Sequence, residues 1–274
     1  IGDLSETGGT RFAETIMTTD TVKKELAIKF TAGGRTITIG GSCKGVGMLY
    51  PEMRTARHAT MLAFLSTDAA ISKMMLEEAL DEAIQDSFNM VSVDGDMSTN
   101  DTCLILANGL AGNAKIGKKD AAYRTFALAL KTLCGDLAVM MAKDGEGATK
   151  LLEIEVRGAK SGADARTVAR KISVSNLLKC AVHGADPNWG RVAASAGASG
   201  IKFAPDRTDI YLGAVKVFSR GASIKGFDAA RARSAFLKDK VSVRVDLGAG
   251  RGRAKAWTCD FSKEYVVINS EYST

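Results

Sequence analysis

Alternating apolar and polar residues in the first part of the chain predict a β-hairpin followed by helices. The alternation runs through residues 24–30 and 35–39, with a Gly-Gly pair between the two stretches, which is typical of antiparallel strands joined by a tight turn. Apolar residues then recur every three or four positions in 68–88 and again in 121–143, the spacing of an amphipathic helix. We expect both helices to be long and to face the core.

The second half of the chain mixes strand and helix patterns without a strict strand–helix–strand period. The predicted strands lie at 151–158, 209–218, 241–247 and 254–261, and the predicted helices at 163–179 and 228–237. Several of these strands have the alternation expected of hairpin partners. The pattern therefore predicts an α+β fold built in layers, with a mostly antiparallel sheet.

The composition is that of a globular protein with room for a sizeable core. The chain has 274 residues, of which 46% are hydrophobic and only 3 are proline, so the disordered and disulfide-dependent classes are excluded. The five cysteines are spread widely and form no C-x-x-C pair, which indicates neither a disulfide framework nor a zinc site. We therefore expect a cytoplasmic protein without a bound metal.

Basic residues exceed acidic residues, but they are scattered. The formal net charge is +6, and the densest basic cluster, at 251–255, alternates with small residues as on the outward face of a strand. Nucleic-acid binding would instead need a basic stripe interleaved with exposed aromatic residues. The longest apolar runs, such as 137–142, are much shorter than the roughly 20 residues that span a bilayer. We expect neither a nucleic acid nor a membrane as partner.

Most common catalytic motifs are absent from the sequence. It has two histidines and contains no H-E-x-x-H, no G-x-S-x-G and no complete phosphate-binding loop, so histidine-rich metal centres and serine–histidine triads find no support. Threonines instead cluster beside apolar segments. A threonine hydroxyl can act without histidine when its own α-amine, freed by chain cleavage, serves as the base. From the residues alone, a self-cleaving threonine and ordinary polar turns both explain this pattern.

Short motifs occur in a fixed order from about residue 13 to the C-terminus. They are IMTTDT (16–21), KGVGML (44–49), ATMLAF (59–64) with TDA (67–69), DGD (94–96) with STNDT (98–102), GEG (145–147) with TK (149–150), DPNWGR (186–191) and NSEY (269–272). This series resembles the ornithine acetyltransferase family, the bifunctional glutamate N-acetyltransferases of arginine biosynthesis. The resemblance implies a layered αββα-like domain of the self-processing N-terminal-nucleophile type, with a second, smaller α/β lobe.

The resemblance also implies a reaction. The chain would cleave itself between Ala59 and Thr60, so that 1–59 forms part of a small (alpha) subunit and 60–274 forms a large (beta) subunit. Thr60 would then accept the acetyl group of N2-acetylornithine as an ester and pass it to L-glutamate in a ping-pong sequence. No cofactor is implied, although acetyl-CoA is open as a second acetyl donor. The cleaved alpha/beta pairs are expected to assemble into an oligomer.

Six positions match the substrate-contacting residues of the family. They are Thr18, Lys44, Thr60, Glu146, Asn269 and Thr274. Lys44 suits a substrate carboxylate and Glu146 suits the amino end of ornithine; the alternative for both is a surface charge, and the family match favours the site roles. Thr18 could be a helix-end residue and Thr274 a frayed terminus. DPNWGR is interpreted as a structural turn and is not assigned a catalytic step. The carboxylates of the 94–101 segment, including Asp101, suit acid/base chemistry or a metal, but a polar turn explains them at least as well, so no step is assigned to them either.

Two departures from the family bear on activity. Family members carry a longer N-terminal portion whose Ser-Thr-Gly-x-Ile-Gly segment supplies a Thr-Gly oxyanion hole, whereas this chain opens at Ile1 and Gly2, so we expect it to be incomplete at its start. Residues 54–58 are an insertion beside the predicted cleavage point. The insertion makes Thr55 a rival nucleophile, although every motif downstream supports Thr60.

Two other functions stay open at this point. A self-processing aminopeptidase or amidohydrolase would pass the acyl group of Thr60 to water and would accumulate the free acid. A non-catalytic relative would bind the ligand without cleavage or turnover, and both departures from the family pattern favour it.

Overall fold

The computed structural model describes residue 5 and residues 7–53 and 61–271. The chain divides into two compact units, one comprising Ile1–Asn89 and Asp96–Met141 and the other Met90–Gly95 and Ala142–Thr274. The α+β class and the mostly antiparallel pairing are confirmed. The prediction that the second unit is smaller is wrong, because the two units are about equally long. The second unit contains a six-stranded sheet, whereas the sheet of the first unit has four strands.

The first unit is built on a four-stranded sheet that follows a short helix. Its elements are α1 (Gly9–Thr15), β1 (Lys24–Ala32), β2 (Arg35–Lys44), β3 (Leu62–Thr67) and β4 (Thr102–Ala107). The predicted hairpin is confirmed, since β1 and β2 are antiparallel neighbours joined at a Gly-Gly turn. Strand β3 runs antiparallel to β2, and β4 runs parallel to β3, so β4 forms one edge of the sheet.

Two long helices complete the first unit. Helix α2 (Lys73–Gln85) begins later than its apolar pattern predicts, because Ser72 caps it by accepting a hydrogen bond from a backbone N–H. Helix α3 (Ala121–Lys143) has the predicted bounds. By length and composition α3 could cross a bilayer, but half of its most apolar window is buried inside the protein, as in the core helix of a globular domain.

The second unit contains a six-stranded sheet. Its strands are β5 (Leu151–Ala159), β6 (Asp209–Leu212), β7 (Val215–Ser219), β8 (Ala222–Ser223), β9 (Lys240–Asp246) and β10 (Gly252–Cys259). They lie in the order β10-β5-β9-β6-β7-β8, and of the described pairs only β5 and β9 are parallel. The strand predicted at 209–218 is in fact the hairpin of β6 and β7, because the chain turns at Gly213.

Five helices accompany this sheet. They are α4 (Gly162–Ser173), α5 (Asn176–His183), α6 (Trp189–Gly197), α7 (Ala229–Phe236) and α8 (Lys263–Glu271). The single helix predicted at 163–179 is two helices, because Ser175 caps a new one by accepting a hydrogen bond from Leu178 N. Helix α4 packs on β5 and β10 with buried alanine, valine and isoleucine side chains.

Candidate active site

In the first unit, three strands pair in register close to Met61, the first described residue after the predicted cleavage point. Lys44 is the last residue of β2, its Cα partner in β3 is Leu62, and Leu62 pairs in turn with Thr102 of β4. Leu62 lies two residues after Thr60, which itself lies with Ala59 and Thr55 outside the described residues, as does Thr274. The register therefore places Lys44 next to Leu62, in the segment that follows the predicted cleavage point.

Met61, the residue that follows Thr60, is held on both sides of its backbone. Its N–H donates to Oδ1 of Asp101 at 2.7 Å, and its carbonyl accepts from Thr102 N at 2.9 Å. The Met61 side chain is fully buried and Asp101 is buried as well. Asp101 was interpreted from the sequence as part of a polar turn, and its position within STNDT was the available signal for a further role.

A second buried carboxylate binds the backbone of Thr18 and of Gly45, the residue that follows Lys44. Asp20 accepts from the backbone N–H of Thr18 at 3.3 Å and from that of Gly45 at 3.1 Å. It also forms an ion pair with Lys24, with Nζ 2.7 Å from Oδ1. Burial raises the pKa of the Asp20 carboxyl, but the hydrogen bonds and the positive charge outweigh it and lower the pKa below its usual value. Asp20 is therefore an anion at neutral pH.

Gly45 lets the end of β2 approach Met61 closely. A Cβ at this position would lie 3.0 Å from Cε of Met141 and 3.4 Å from Cα of Met61, and the backbone φ is +145°. A larger residue would push the Lys44 segment away from Met61. Thr18, Asp20, Gly45, Met61 and Asp101 thus form a continuous set of contacts within the first unit.

Lys44 is buried, with 8% of its surface exposed. Its interpretation as a surface charge is therefore wrong. Among the residues that the structure describes, no carboxylate forms an ion pair with Lys44 Nζ. A positive charge at the end of a largely buried side chain suits the binding of an anionic group. Thr18 lies beyond the end of α1 in an exposed bend, where its hydroxyl is accessible.

In the second unit, the structure brings Glu146 and Asn269 together. Asn269, on helix α8, donates from Nδ2 to Oε2 of Glu146 at 2.9 Å and to the carbonyl of Tyr265 at 3.0 Å. Gly147 allows this contact, because its φ is +67° and a Cβ there would lie 2.5 Å from Tyr265 N. The loop that carries Glu146 therefore packs directly against the backbone of α8, and two of the residues predicted from the family motifs are direct neighbours.

Asp260 anchors the far side of the Glu146 loop. Its carboxylate accepts from the backbone N–H groups of Thr149 at 2.7 Å and Lys150 at 2.8 Å, from the Thr149 hydroxyl at 2.6 Å, and from His183 Nδ1 at 2.7 Å. The side chain of Asp260 is completely buried. Burial raises its pKa, but these hydrogen bonds outweigh burial and lower the pKa below the usual 3.8.

This lowered pKa predicts how an Asp260→Asn variant changes with pH. A carboxyl whose pKa is lower in the folded state stabilises the fold above its unfolded pKa and loses that contribution as pH falls through the folded pKa. At pH 7 we expect the variant to lose about 1–3 kcal/mol of unfolding free energy, since a buried charged acceptor is removed. Below about pH 4 the difference from the parent protein should shrink, as linkage requires.

Urea unfolding at pH 7 and at pH 3 measures this difference. Asp239→Asn, which changes an exposed aspartate in the same unit, is the matched control and should alter stability little at either pH. An Asp260→Asn defect that is as large at pH 3 as at pH 7 would contradict the role assigned to its charge.

The DPNWGR motif forms the start of a helix. Asn188 caps α6 by accepting a hydrogen bond from Arg191 N, and its amide donates to Asp186 at 3.0 Å. The turn interpretation was therefore wrong in detail, since four of the residues lead into or begin α6 rather than form a separate loop.

Among the described residues, no group of three or more histidine, cysteine, aspartate or glutamate side chains could hold a metal ion.

Comparison with known proteins identifies close similarities over the whole chain. The family model described as ArgJ family matches residues 1–274. The chain is 49% identical to arginine biosynthesis bifunctional protein ArgJ of Symbiobacterium thermophilum over 271 residues, covering 99% of this chain and 66% of that protein. It is 46% identical to the protein of the same name from Dehalococcoides mccartyi, with 99% and 65% covered. The chain thus spans about two thirds of the length of these relatives.

A solved structure shares the fold. The crystal structure of arginine biosynthesis bifunctional protein ArgJ from Bacillus halodurans superposes with a TM-score of 0.72 at 39% identity. The superposition covers 76% of this chain and 97% of the solved chain.

Proposed function

We propose, from the premise that this chain belongs to the ArgJ family, that it is part of an enzyme of arginine biosynthesis that transfers the acetyl group of N2-acetylornithine to L-glutamate. Membership agrees with the resemblance drawn from the sequence motifs. Because the chain spans about two thirds of its relatives' length, the activity is proposed for the complete protein that carries this chain.

The observation that carries the proposal is the fixed position of Met61. The Met61 backbone is bound by Asp101 on one side and by Thr102 on the other. Cleavage before Thr60 would therefore create a new N-terminus one residue before this fixed position. The α-amine of such a residue has an ordinary pKa of about 7.7–8.0, so part of it is unprotonated at neutral pH. It can therefore take the proton from the hydroxyl of the same threonine.

The proposed chemistry begins with self-cleavage. The Thr60 hydroxyl attacks the carbonyl carbon of Ala59, the peptide C–N bond breaks, and the Thr60 amine is released as an ester forms. Water then hydrolyses this ester to give a carboxylate on Ala59 and a free hydroxyl on Thr60. The products are the two subunits, ending at 59 and beginning at 60.

Acetyl transfer then uses the same hydroxyl twice. Thr60 Oγ1 attacks the acetyl carbon of N2-acetylornithine, the amide bond breaks, and the proton removed from the hydroxyl leaves with the ornithine amine. The amine of glutamate next attacks the acetyl-Thr60 ester and regenerates the hydroxyl. The covalent intermediate predicts ping-pong kinetics.

The length of the solved relative supports cleavage near Thr60. Since the superposition fills 97% of that chain and 76% of this one, the solved chain is about four fifths as long as this chain (76/97). Residues 60–274 also make up about four fifths of it. The curated relatives, by contrast, are about half as long again as this chain (99/66). A separate chain of the length of 60–274 is what the proposed cleavage would produce.

The substrate roles follow the charges of the individual residues. We assign the Lys44 ammonium to a substrate carboxylate and Glu146 to the side-chain amine of ornithine, with Asn269 orienting the Glu146 carboxylate through its 2.9 Å hydrogen bond. Thr18 and Thr274 would supply neutral hydrogen bonds. We further propose that the protein acts in the cytoplasm as an oligomer of cleaved pairs, with no cofactor and with acetyl-CoA as a second donor to be tested.

Product analysis tests the proposed function. The full-length protein is incubated with N2-acetylornithine and glutamate, and N-acetylglutamate, ornithine and acetate are quantified. The proposal predicts equal amounts of N-acetylglutamate and ornithine. Acetate in place of N-acetylglutamate would identify a hydrolase, and binding without any product would identify a non-catalytic relative.

Replacing Lys44 by methionine is expected to weaken substrate use without unfolding the protein. Methionine fills much of the space of the lysine stem but removes the charge, and a charge-assisted hydrogen bond contributes about 1.5–3 kcal/mol, or roughly 10-fold to 150-fold in kcat/KM. Steady-state kinetics with N2-acetylornithine measure the loss. Lys44→Arg, which keeps the charge, is the matched control and should retain more activity. A Lys44→Met protein with unchanged kcat/KM would rule out the assigned role.

A further inference from the structure

The ion pair of Asp20 and Lys24 is sealed off from solvent. Both side chains have 0% of their surface exposed, and Lys24 Nζ lies 2.7 Å from Asp20 Oδ1. A buried pair of this kind adds little net stability, since the cost of removing two charges from water offsets their attraction. The role of the ion pair is therefore sought in the groups that it orients and not in its contribution to the stability of the fold.

The Asp20 carboxylate is oriented from one side and binds backbone on the other. Lys24 Nζ also donates to the carbonyl of Val22 at 3.1 Å, so the ammonium has a defined place. The carboxylate accepts from Gly45 N through Oδ1 and from Thr18 N through Oδ2. One carboxylate thus binds the backbone of Thr18 itself and of the residue next to Lys44.

We propose that Asp20 is a positioning residue for acetyl transfer, which holds the Thr18 and Lys44 segments so that the Thr18 hydroxyl and the Lys44 ammonium meet the substrate at fixed places. The inference rests on the proposed function, because Asp20, whose side chain has no exposed surface, acts through these two residues. A displacement of about 1 Å in a group that orients a substrate can lower the rate about 100-fold.

Two double variants separate positioning from the ion pair. Asp20→Asn with Lys24→Met removes both charges but keeps one oxygen that can accept from Gly45 N. Asp20→Ala with Lys24→Met removes both charges and every acceptor. Neither variant leaves an unpaired buried charge, which would be the main cause of misfolding. Leu130→Ala, a core change in α3 of the same unit, is the control for lowered stability alone.

The readout is recognition of the substrate carboxylate. We compare kcat/KM for N2-acetylornithine with kcat/KM for N-acetylputrescine, which has the same acetamide and terminal amine but no carboxylate. The parent protein should prefer the carboxylate donor. We expect the alanine double variant to lose about 10-fold or more of this preference, and the asparagine double variant to lose less.

A purely structural role predicts a different result. Leu130→Ala should lower the melting temperature and leave the preference unchanged, because kcat/KM for both donors then falls by the same factor. An alanine double variant that keeps the parent's preference would overturn the positioning role, and the asparagine variant tests the same point if the alanine variant does not fold. If the parent protein transfers acetyl from neither donor, the proposed function itself fails, and this inference fails with it.

Discussion

Replacing Thr60 by alanine is expected to leave the full-length protein as one uncut chain and to abolish acetyl transfer. The variant lacks both the hydroxyl that attacks the Ala59 carbonyl and the group that carries the acetyl ester. Removal of a nucleophile from a catalytic unit commonly lowers turnover by about 10⁴-fold or more. Gel analysis of the purified protein and an assay for N-acetylglutamate measure the two effects.

Thr60→Ser and Thr55→Ala are the controls for this prediction. Serine keeps a hydroxyl and an α-amine after cleavage, so it should support both steps at a reduced rate. Thr55 lies in the 54–58 insertion, and its loss should leave cleavage and transfer intact. If Thr55→Ala is not cleaved while Thr60→Ala is still cleaved, the nucleophile is Thr55 and not Thr60.

Replacing Asp101 by alanine is expected to slow self-cleavage and acetyl transfer by about 100-fold. The change leaves the buried N–H of Met61 without its acceptor, which costs about 1–3 kcal/mol, and frees the chain beside Thr60 to shift. A misplacement of about 1 Å suffices for a loss of this size. The time course of cleavage and kcat for transfer should fall together, because both use the same hydroxyl.

Asp101→Asn is the matched variant, since its amide oxygen can still accept from Met61 N while the charge is lost. It should stay within about 10-fold of the parent if hydrogen bonding to Met61 is the main effect, a difference of about 1.4 kcal/mol in the barrier. Equal defects in the alanine and asparagine variants would show that the charge of Asp101, and not its hold on Met61, is what matters.

The regular elements that could be predicted from the sequence are those with a sustained period. Helix α3 has the predicted bounds because apolar side chains recur at helical spacing along all of it, and the β1–β2 hairpin follows from alternation around two glycines. Strands β3 and β4 were not predicted. Each is a short, mostly apolar run without alternation, LAFLST and TCLILA, and periodicity alone cannot distinguish such a run from a buried helix segment.

The candidate site could be predicted only in part, for a physical reason. Residue type and motif pointed to Lys44 and Glu146, whose charges suit the proposed substrates. Asp20 and Asp101 act on backbone N–H groups 25 and 40 residues away in the chain. Contacts of that separation depend on strand register and leave no trace in local spacing. The burial of Lys44 was equally hidden, because lysine is a residue that usually lies at the surface.

The contact between Glu146 and Asn269 could not be predicted from local sequence patterns either. The contact of Glu146 with Asn269 joins residues 123 positions apart, and Gly147 permits it by leaving room for the backbone of α8. The two residues were selected separately from family motifs. Their direct hydrogen bond is a property of the fold, and it makes Asn269 a partner of Glu146 before any substrate arrives.

The intact mass of the full-length protein under denaturing conditions, with and without N2-acetylornithine, tests the central claim most directly. The account predicts two chains separated between Ala59 and Thr60, with the mass of one acetyl group added to the larger chain in the presence of the donor. A single uncut mass that gains no acetyl group, or two chains separated at another bond, would contradict it.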